Sequence, residues 1–288
     1  MTKSKSKKTT VAVIGFNDGL AGQTAEWFEA VTGLEIALFI DESESLEEFC
    51  NPELLSQRPN IRFEYPKNDL FKGQPFFSGS NWPSKLLELG IDNVLVLAPD
   101  NQSRLKILKI CSEYKFKLVS AIHPTAQIMD QAVIEPGVWI NAGAIIGYKS
   151  EIKSGVLINT RAIVEHHNIL ESCCQLSPAV VTAGNVTVGE CAQINIGALI
   201  ANRIKIGANA IVGAGAVVLS NVAPDLKVAG VPIFLIDEHC WANDIPKLYV
   251  NYLGEGYKYG FEVVSARGCE TRLKKGAGLL TNFIKNNP

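Results

Sequence analysis

From Ile128 to Val218 an aliphatic side chain returns at every sixth position: Ile128, Ile134, Ile140, Ile146, Ile152, Ile158, Val164, Leu170, Leu176, Thr182, Val188, Ile194, Ile200, Ile206, Val212 and Val218. Fifteen of these sixteen are Ile, Leu or Val, so Thr182 is the single departure, and no insertion breaks the count. The residue four places on is mostly small, as at Ala132, Ala144, Ala162, Cys174, Ala192, Ala198, Ala210 and Ala216. Gly147, Gly189, Gly207 and Gly213 follow the aliphatic residue directly, where a tight corner is expected to need permissive backbone. This is the hexapeptide repeat of a parallel β-helix. Three hexads make one triangular coil, with the aliphatic residue inside and the small residue leaving it room. Backbone groups pair with the coils above and below, which lets a narrow solenoid be stable. Sixteen hexads give a little over five coils. The period does not set the hand of the coil, and parallel crossovers in general are right-handed.

Ahead of the repeat, residues 10 to 120 alternate between strand and helix. Thr10–Ile14 is a continuous apolar strand, and the turn Gly15-Phe16-Asn17-Asp18-Gly19-Leu20-Ala21-Gly22 leads into a helix running to about Thr32. Glu35–Ile40 is a second strand ending at Asp41-Glu42. Asn93–Ala98 is a third, a helix starts near Gln102, and Leu118–Ser120 begins another strand. Strand, helix and strand with short links predict a parallel sheet of Rossmann type. Between Glu42 and Trp82 the pattern dissolves into Pro, Asn and Gly with scattered aromatics, and reads as an elaborated loop region.

Length and charge narrow the function. The 288 residues suffice for two domains with real cores. A net charge of -2 removes the broad electrostatic reason to expect nucleic acid. Lys3, Lys5, Lys7 and Lys8 read as a solvated tail. A short strand follows them instead of a signal-peptide core, and no apolar run approaches membrane-spanning length, so a cytoplasmic protein is expected. The cysteines Cys50, Cys111, Cys173, Cys174, Cys191, Cys240 and Cys269 form no C-x-x-C pair. They read as small buried hydrophobes, and no metal is implied.

Three segments carry a family resemblance beyond the repeat itself: Ile122-His123-Pro124 entering the first coil, Val164-Glu165-His166-His167 within it, and Val228-Ala229-Gly230-Val231-Pro232 at its end. With the Rossmann-like half in front, residues 10 to 236 resemble the sialic acid O-acetyltransferase and UDP-bacillosamine N-acetyltransferase family of sugar acyltransferases. The resemblance implies a left-handed β-helix and a division into a tail (1–9), a Rossmann-like nucleotide-sugar-binding domain (10–122), a left-handed β-helix acyltransferase domain (123–236) and an extension (237–288). It implies a homotrimer with acyl-CoA lying between adjacent β-helices. The acceptor is a nucleotide-linked amino sugar whose nucleotide sits on the first domain. In the extension, Asp244–Leu253 and Gly278–Asn287 read as short helices that cap the open end of the solenoid.

The resemblance also assigns roles. His166 is the third residue of its hexad, at a corner where side chains project outward, and it matches the family's general base. Imidazole suits proton removal from a sugar amine or hydroxyl near neutral pH, and backbone amides of the coils are the expected oxyanion donors. His167 stands where the family carries an Asp or Glu that orients the base. Glu165 is a candidate for part of that role, and His167 itself reads as a substrate or interface contact. Gln175 replaces a second histidine near the CoA thioester. Gly184 matches a glycine beside the pantetheine, with Ala214 along the same groove. Pro232 is followed by Ile233-Phe234, where the family has a cation for a CoA phosphate. The available cations are then Arg203, Lys205 and Lys227, or Arg267, Arg272, Lys274 and Lys275. For the nucleotide sugar the candidates are Gly15, Asn17, Asp18, Asp41, Glu42 and Asn159, although Asp18 at a phosphate-facing turn would repel a pyrophosphate. NAD is disfavoured because no dehydrogenase partner domain follows. The reading is direct N-acylation of a nucleotide-linked amino sugar by acyl-CoA; the alternatives are O-acetylation of a sialic-acid-type sugar and a catalytically silent sugar-binding scaffold.

Overall fold

The computed structural model describes residues 9–15, 18–42, 66–235, 247–250 and 261–264. It divides into two units, Met1–Leu235 and Ile236–Pro288.

In the first unit an open sheet is built on β1 (Thr10–Ile14), flanked in parallel by β2 (Glu35–Asp41) and by the strand Asn93–Val96. With β3 (Leu70–Phe71), β4 (Gln74–Ser78), β5 (Asn93–Val96) and β6 (Lys117–Leu118), the order is β3-β4-β2-β1-β5-β6. All neighbours are parallel except the edge pair β3–β4. Val11 to Ile14 are buried without alternation because the sheet is covered on both faces. One face packs Val11, Val13 and Leu95 against Phe28 of α1 (Gln23–Thr32) and against Trp139 and Leu157 of the solenoid. The other packs Ala12, Ile14 and Val96 against Trp82 and Leu86 of α2 (Trp82–Leu89) and Ile107 and Cys111 of α3 (Asn101–Glu113). A π-helical turn, Asp18–Gly22, precedes α1, and α3 is capped by Asp100, whose Oδ1 accepts the Ser103 N–H at 2.7 Å.

Part of the stretch read as loop is sheet. β4 pairs in parallel with the end of β2, Phe39 opposite Phe76, and Phe76 is buried. Residues 43–65 of that stretch lie outside the described residues.

The solenoid is a left-handed parallel β-helix of two-residue strands on three faces. The inward residues of the first face are Ile122, Ile140, Ile158, Leu176, Ile194, Val212 and Val228. Those of the second are Ile128, Ile146, Val164, Thr182, Ile200 and Val218, and those of the third Ile134, Ile152, Leu170, Val188 and Ile206. The series therefore starts a strand earlier than Ile128. It also survives Val218: the spacing shortens by two residues, Val222 bridges to Ile206, and Val228 follows six later. Thr182 is fully buried and its hydroxyl donates to the Ile163 carbonyl at 3.3 Å, which satisfies the one polar residue of the sixfold series.

The corner glycines have a different physical reason from the one expected. Gly147, Gly189 and Gly207 are not in the left-handed region; a Cβ on them would lie 2.6, 2.5 and 2.2 Å from backbone atoms of the next coil. They permit close stacking. The left-handed residue of each corner comes two places later, as at Lys149 (φ 56°), His167 (φ 57°) and Asn185 (φ 60°).

Arg104 of α3 joins the two halves of this unit. Only 1% exposed, it donates from Nε to the Gly155 carbonyl (2.6 Å) and from its terminal nitrogens to the carbonyls of Ala98 (2.7 Å) and Cys173 (2.8 Å) and to Asn101 Oδ1 (2.7 Å). Asn101 Nδ2 in turn donates to the Cys191 carbonyl at 3.0 Å. Cys111, Cys173, Cys174 and Cys191 are buried free thiols, and burial pushes those of Cys111 and Cys173 up to about 12. They behave as small hydrophobes; Cys50, Cys240 and Cys269 lie outside the described residues.

In the second unit, Lys247–Val250 pairs antiparallel with Phe261–Val264. The helix expected over Asp244–Leu253 is thus replaced by a strand at its centre, consistent with the strand-favouring pair Tyr249-Val250. Gly278–Asn287 and the cations Arg267, Arg272, Lys274 and Lys275 lie outside the described residues, as do residues 1–8. Among the described residues no helix is long and apolar enough to cross a membrane.

Candidate active site at a coil corner

His166 sits on the corner between the second and third faces, between the strands Ile163–Val164 and Ile169–Leu170. Because a coil takes eighteen residues, the same corner position holds Tyr148 one coil earlier and Gly184 one coil later. A Cβ on Gly184 would lie 2.3 Å from His166 Cε1, 2.6 Å from Nε2 and 3.0 Å from Nδ1. The imidazole therefore lies flat over a position that only glycine leaves open. The Gly184 N–H donates to Asn202 Oδ1 at 3.0 Å, and the N–H groups of Glu165, His167 and Asn185 are used in bonds between coils. These four amides are engaged within the solenoid.

His166 Nδ1 lies 3.1 Å from His167 Nδ1, with the rings edge to face at 84°. Tyr148 meets His167 edge-on at 5.8 Å, and Lys149 Nζ lies 5.1 Å from the centre of the Tyr148 ring. All three residues Glu165, His166 and His167 are exposed. No hydrogen bond joins the Glu165 carboxylate to either imidazole among the described residues; the side-chain contact to His166 is made by His167.

What Glu165 contributes is its carbonyl, which accepts from Ser150 Oγ (2.9 Å) and from Asn168 Nδ2. Asn168, fully buried, also donates to the Ala183 carbonyl (3.0 Å) and accepts the Val186 N–H (2.9 Å). These two polar side chains pin the corner that carries His166 to the coils on either side. Sequence reasoning missed both. Their signal was present: each stands at the interior position where the other hexads carry Ala, Val, Ile or Cys, and a buried polar residue needs a partner.

The remaining candidates lie elsewhere on the same chain. Asn159 and Ala214 occupy the corner between the first and second faces. Asn159 is buried, and its Oδ1 accepts from Asn141 Nδ2 (2.9 Å) and the Thr160 N–H (2.7 Å). Gln175 is on the first face, where it lines a cleft of about 270 Å³ with Pro99, Asp100, Asn101, Cys191 and Gln193. Lys227, half-buried, is on the last strand of that face. Gly184 and Ala214 are consequently on different edges of one prism and share no groove within a single chain. Between those two edges the second face presents Ile145, Ile163, Val181, Leu199 and Val217 outward, half-buried or exposed.

At the other end of the unit the sheet order reverses between β1 and β5, the switch point at which open α/β sheets bind ligands. Gly15 closes β1 with φ 97°, and a Cβ there would lie 2.3 Å from the Ala98 nitrogen, so glycine is required by both conformation and space. Asp41 ends β2 and is 7% exposed. The Glu42 carboxyl is raised above its ordinary value, first by burial and then by the charges of Asp41 and Asp100, against a lowering backbone hydrogen bond. Asn17 and the Asp18 side chain lie outside the described residues. His123 is a further corner histidine, but its ring is committed to Thr125 Oγ1 (2.8 Å) and to the edge of Trp27.

No protein-family model matches the chain, and no curated protein does. Solved structures do. PerB from Caulobacter crescentus, in complex with CoA and GDP-perosamine, is 30% identical over 79% of this chain and 97% of its own, with a TM-score of 0.67. Variants of that perosamine N-acetyltransferase with one histidine changed to asparagine or alanine match equally well, at a TM-score of 0.67. WeeI from Acinetobacter baumannii AYE, 18% identical over 79% of this chain and 100% of its own at a TM-score of 0.64, shares the fold. The chain belongs to the hexapeptide acyltransferases that carry a Rossmann-like N-terminal domain, the family of perosamine N-acetyltransferase.

Proposed function

We propose that this protein transfers an acyl group, acetyl in the simplest case, from CoA to the amine of a nucleotide-linked amino sugar, with His166 as general base. The observation that carries the reading is a histidine held over a glycine on a coil corner, in a chain similar over 79% of its length to an enzyme captured with CoA and GDP-perosamine. His166 Nδ1 is taken up by His167, which leaves Nε2 for the substrate proton. As the amine nitrogen bonds to the thioester carbon, Nε2 accepts its proton; the C–S bond then breaks and that proton passes to the CoA sulfur. Such a base contributes about 10²–10⁴-fold. Asp41 and Glu42 at the switch point accept hydrogen bonds from the nucleotide.

The assembly we assign is a homotrimer closed along the second face. Its outward row of Ile145, Ile163, Val181, Leu199 and Val217 is an apolar strip of the kind that a symmetric interface buries. Packing that face about a three-fold axis sets the His166 and Gly184 corner of one copy against the Asn159 and Ala214 corner of the next, so the candidates divided within one chain line a single cleft. We place the reaction in the cytoplasm, where acyl-CoA and nucleotide sugars meet.

The test is release of CoA from acetyl-CoA with GDP-, UDP- and dTDP-linked amino sugars, set beside the free amino sugars and the corresponding hydroxyl analogues. Turnover confined to one nucleotide-linked amine is expected, and changing Asp41 and Glu42 to Ala should raise the acceptor KM and leave that of acetyl-CoA unchanged. Equal turnover of the free amino sugar, or preference for the hydroxyl analogue, would overturn it.

A further inference from the structure

We infer that His167 is a positioning residue for catalysis: its neutral imidazole accepts a hydrogen bond from Nδ1–H of His166 and so fixes the base in the tautomer with a free Nε2 lone pair. This rests on the N-acyltransferase reading above and adds the element that makes the corner work without a carboxylate.

Two ring nitrogens 3.1 Å apart need one proton between them, one acting as donor and the other as acceptor. If His166 holds that proton on Nδ1, its Nε2 is a base; if His167 holds it, His166 carries Nε2–H and cannot take a proton from the amine. The pair therefore decides whether the enzyme is competent.

The geometry holds His167 in place beside the base. Its backbone is set at φ 57° and its N–H is fixed to the Tyr148 carbonyl at 2.9 Å, while Tyr148 meets its ring edge-on. His166 is held in turn by the flat surface of Gly184. Its exposed ring leaves the far nitrogen to water. The titratable groups facing the pair are Tyr148 and Lys149 from the preceding coil and Glu165 beside it; Arg203 stands two coils on, and the next coil presents Ala183, Gly184 and Asn185, none of which titrates. Among the described residues no acidic side chain hydrogen-bonds either ring.

A neutral acceptor has a consequence that a carboxylate lacks. When Nε2 takes the substrate proton, the imidazolium is stabilised by a dipole and not by a full charge, so the proton is held less tightly and passes more readily to the departing sulfur. An anion at position 167 would favour the charged ring and move the acid limb of the rate profile to higher pH, by about one unit for an opposite charge at this range.

The experiment joins two measurements on the full chain. Nitrogen-15 NMR of histidine-labelled protein at pH 8 reports the tautomer of His166 whether or not a substrate is turned over, so it tests this inference independently of the proposed reaction. Nδ1–H is expected, and Nε2–H would overturn the inference. Kinetics of His167→Ala, His167→Asn and His167→Asp supply the second readout. Ala removes the acceptor and should lower kcat about 10–10²-fold with both KM values unchanged; Asn keeps a neutral acceptor and tolerates positive φ, so it should stay within about 3-fold of the parent. Asp should restore kcat while raising the acid limb. An Asn variant as slow as Ala, or an Ala variant with full kcat, would show that His167 does not position the base.

Discussion

Gly184→Ala isolates the position of the base from everything else in the site. The backbone at Gly184 is not in the left-handed region, so alanine is compatible with it and removes unfolded-state entropy, worth about 0.4–1 kcal/mol in favour of folding. The new methyl carbon would sit 2.3 Å from His166 Cε1. Ordinary carbon contacts begin at about 3.5 Å, so the ring must retreat by roughly 1.2 Å. It has room to do so, because His166 is exposed. Displacing a catalytic group by about 1 Å costs on the order of 10²-fold, or about 2.7 kcal/mol of barrier. Steady-state kinetics with each substrate varied in turn, beside a thermal melt, should give kcat lowered about 10²-fold, an unchanged acetyl-CoA KM and an undiminished Tm. Full kcat would refute the packing of the ring on this glycine. A raised acetyl-CoA KM with kcat intact would show instead that the glycine makes room for pantetheine.

Two further perturbations test the frame that holds the site. Arg104→Met strands the carbonyls of Ala98, Gly155 and Cys173 and the Asn101 side chain in a dry junction, and should cost about 3 kcal/mol, lowering Tm by roughly 6–12 °C; a shift under about 2 °C would count against a junction built on this side chain. Val181→Asp on the outward row of the second face should dissociate the proposed trimer in sedimentation velocity at micromolar concentration and abolish turnover with it. A monomer with full activity would remove the case for a cleft between copies.

The solenoid was legible because each inward side chain is dictated by a fixed count along the chain, and Thr182 fits that count as a satisfied polar exception. What failed were features decided across coils or across the sheet. Gly147, Gly189 and Gly207 look in sequence like residues chosen for φ, yet the constraint on them is backbone from the following coil, about eighteen positions away. The strand Gln74–Ser78 was hidden among Pro and Gly because its pairing with β2 and β3 is what makes it a strand. Arg104 reads locally as an ordinary helix-surface cation and is buried where α3 meets the solenoid, whose Gly155 and Cys173 carbonyls it binds. At the site itself, the motif pointed to His166 and its neighbours, while His167, Ser150 and Asn168 enter through side-chain contacts that spacing does not contain. The residues expected along one groove, Gly184 and Ala214, are both small and share a hexad position but sit on different edges of one chain, since adjacent hexads turn the prism by one face.

The central claim, that a single corner histidine removes the proton, is tested most directly by His166→Ala assayed for turnover and for CoA binding in the same preparation. The account predicts kcat lower by about 10²–10⁴-fold, loss of the histidine limb from the pH profile of kcat/KM, and CoA bound as tightly as by the parent. Retention of kcat within a few-fold, with the limb still present, would contradict it and leave the attacking amine to lose its proton without help from this corner.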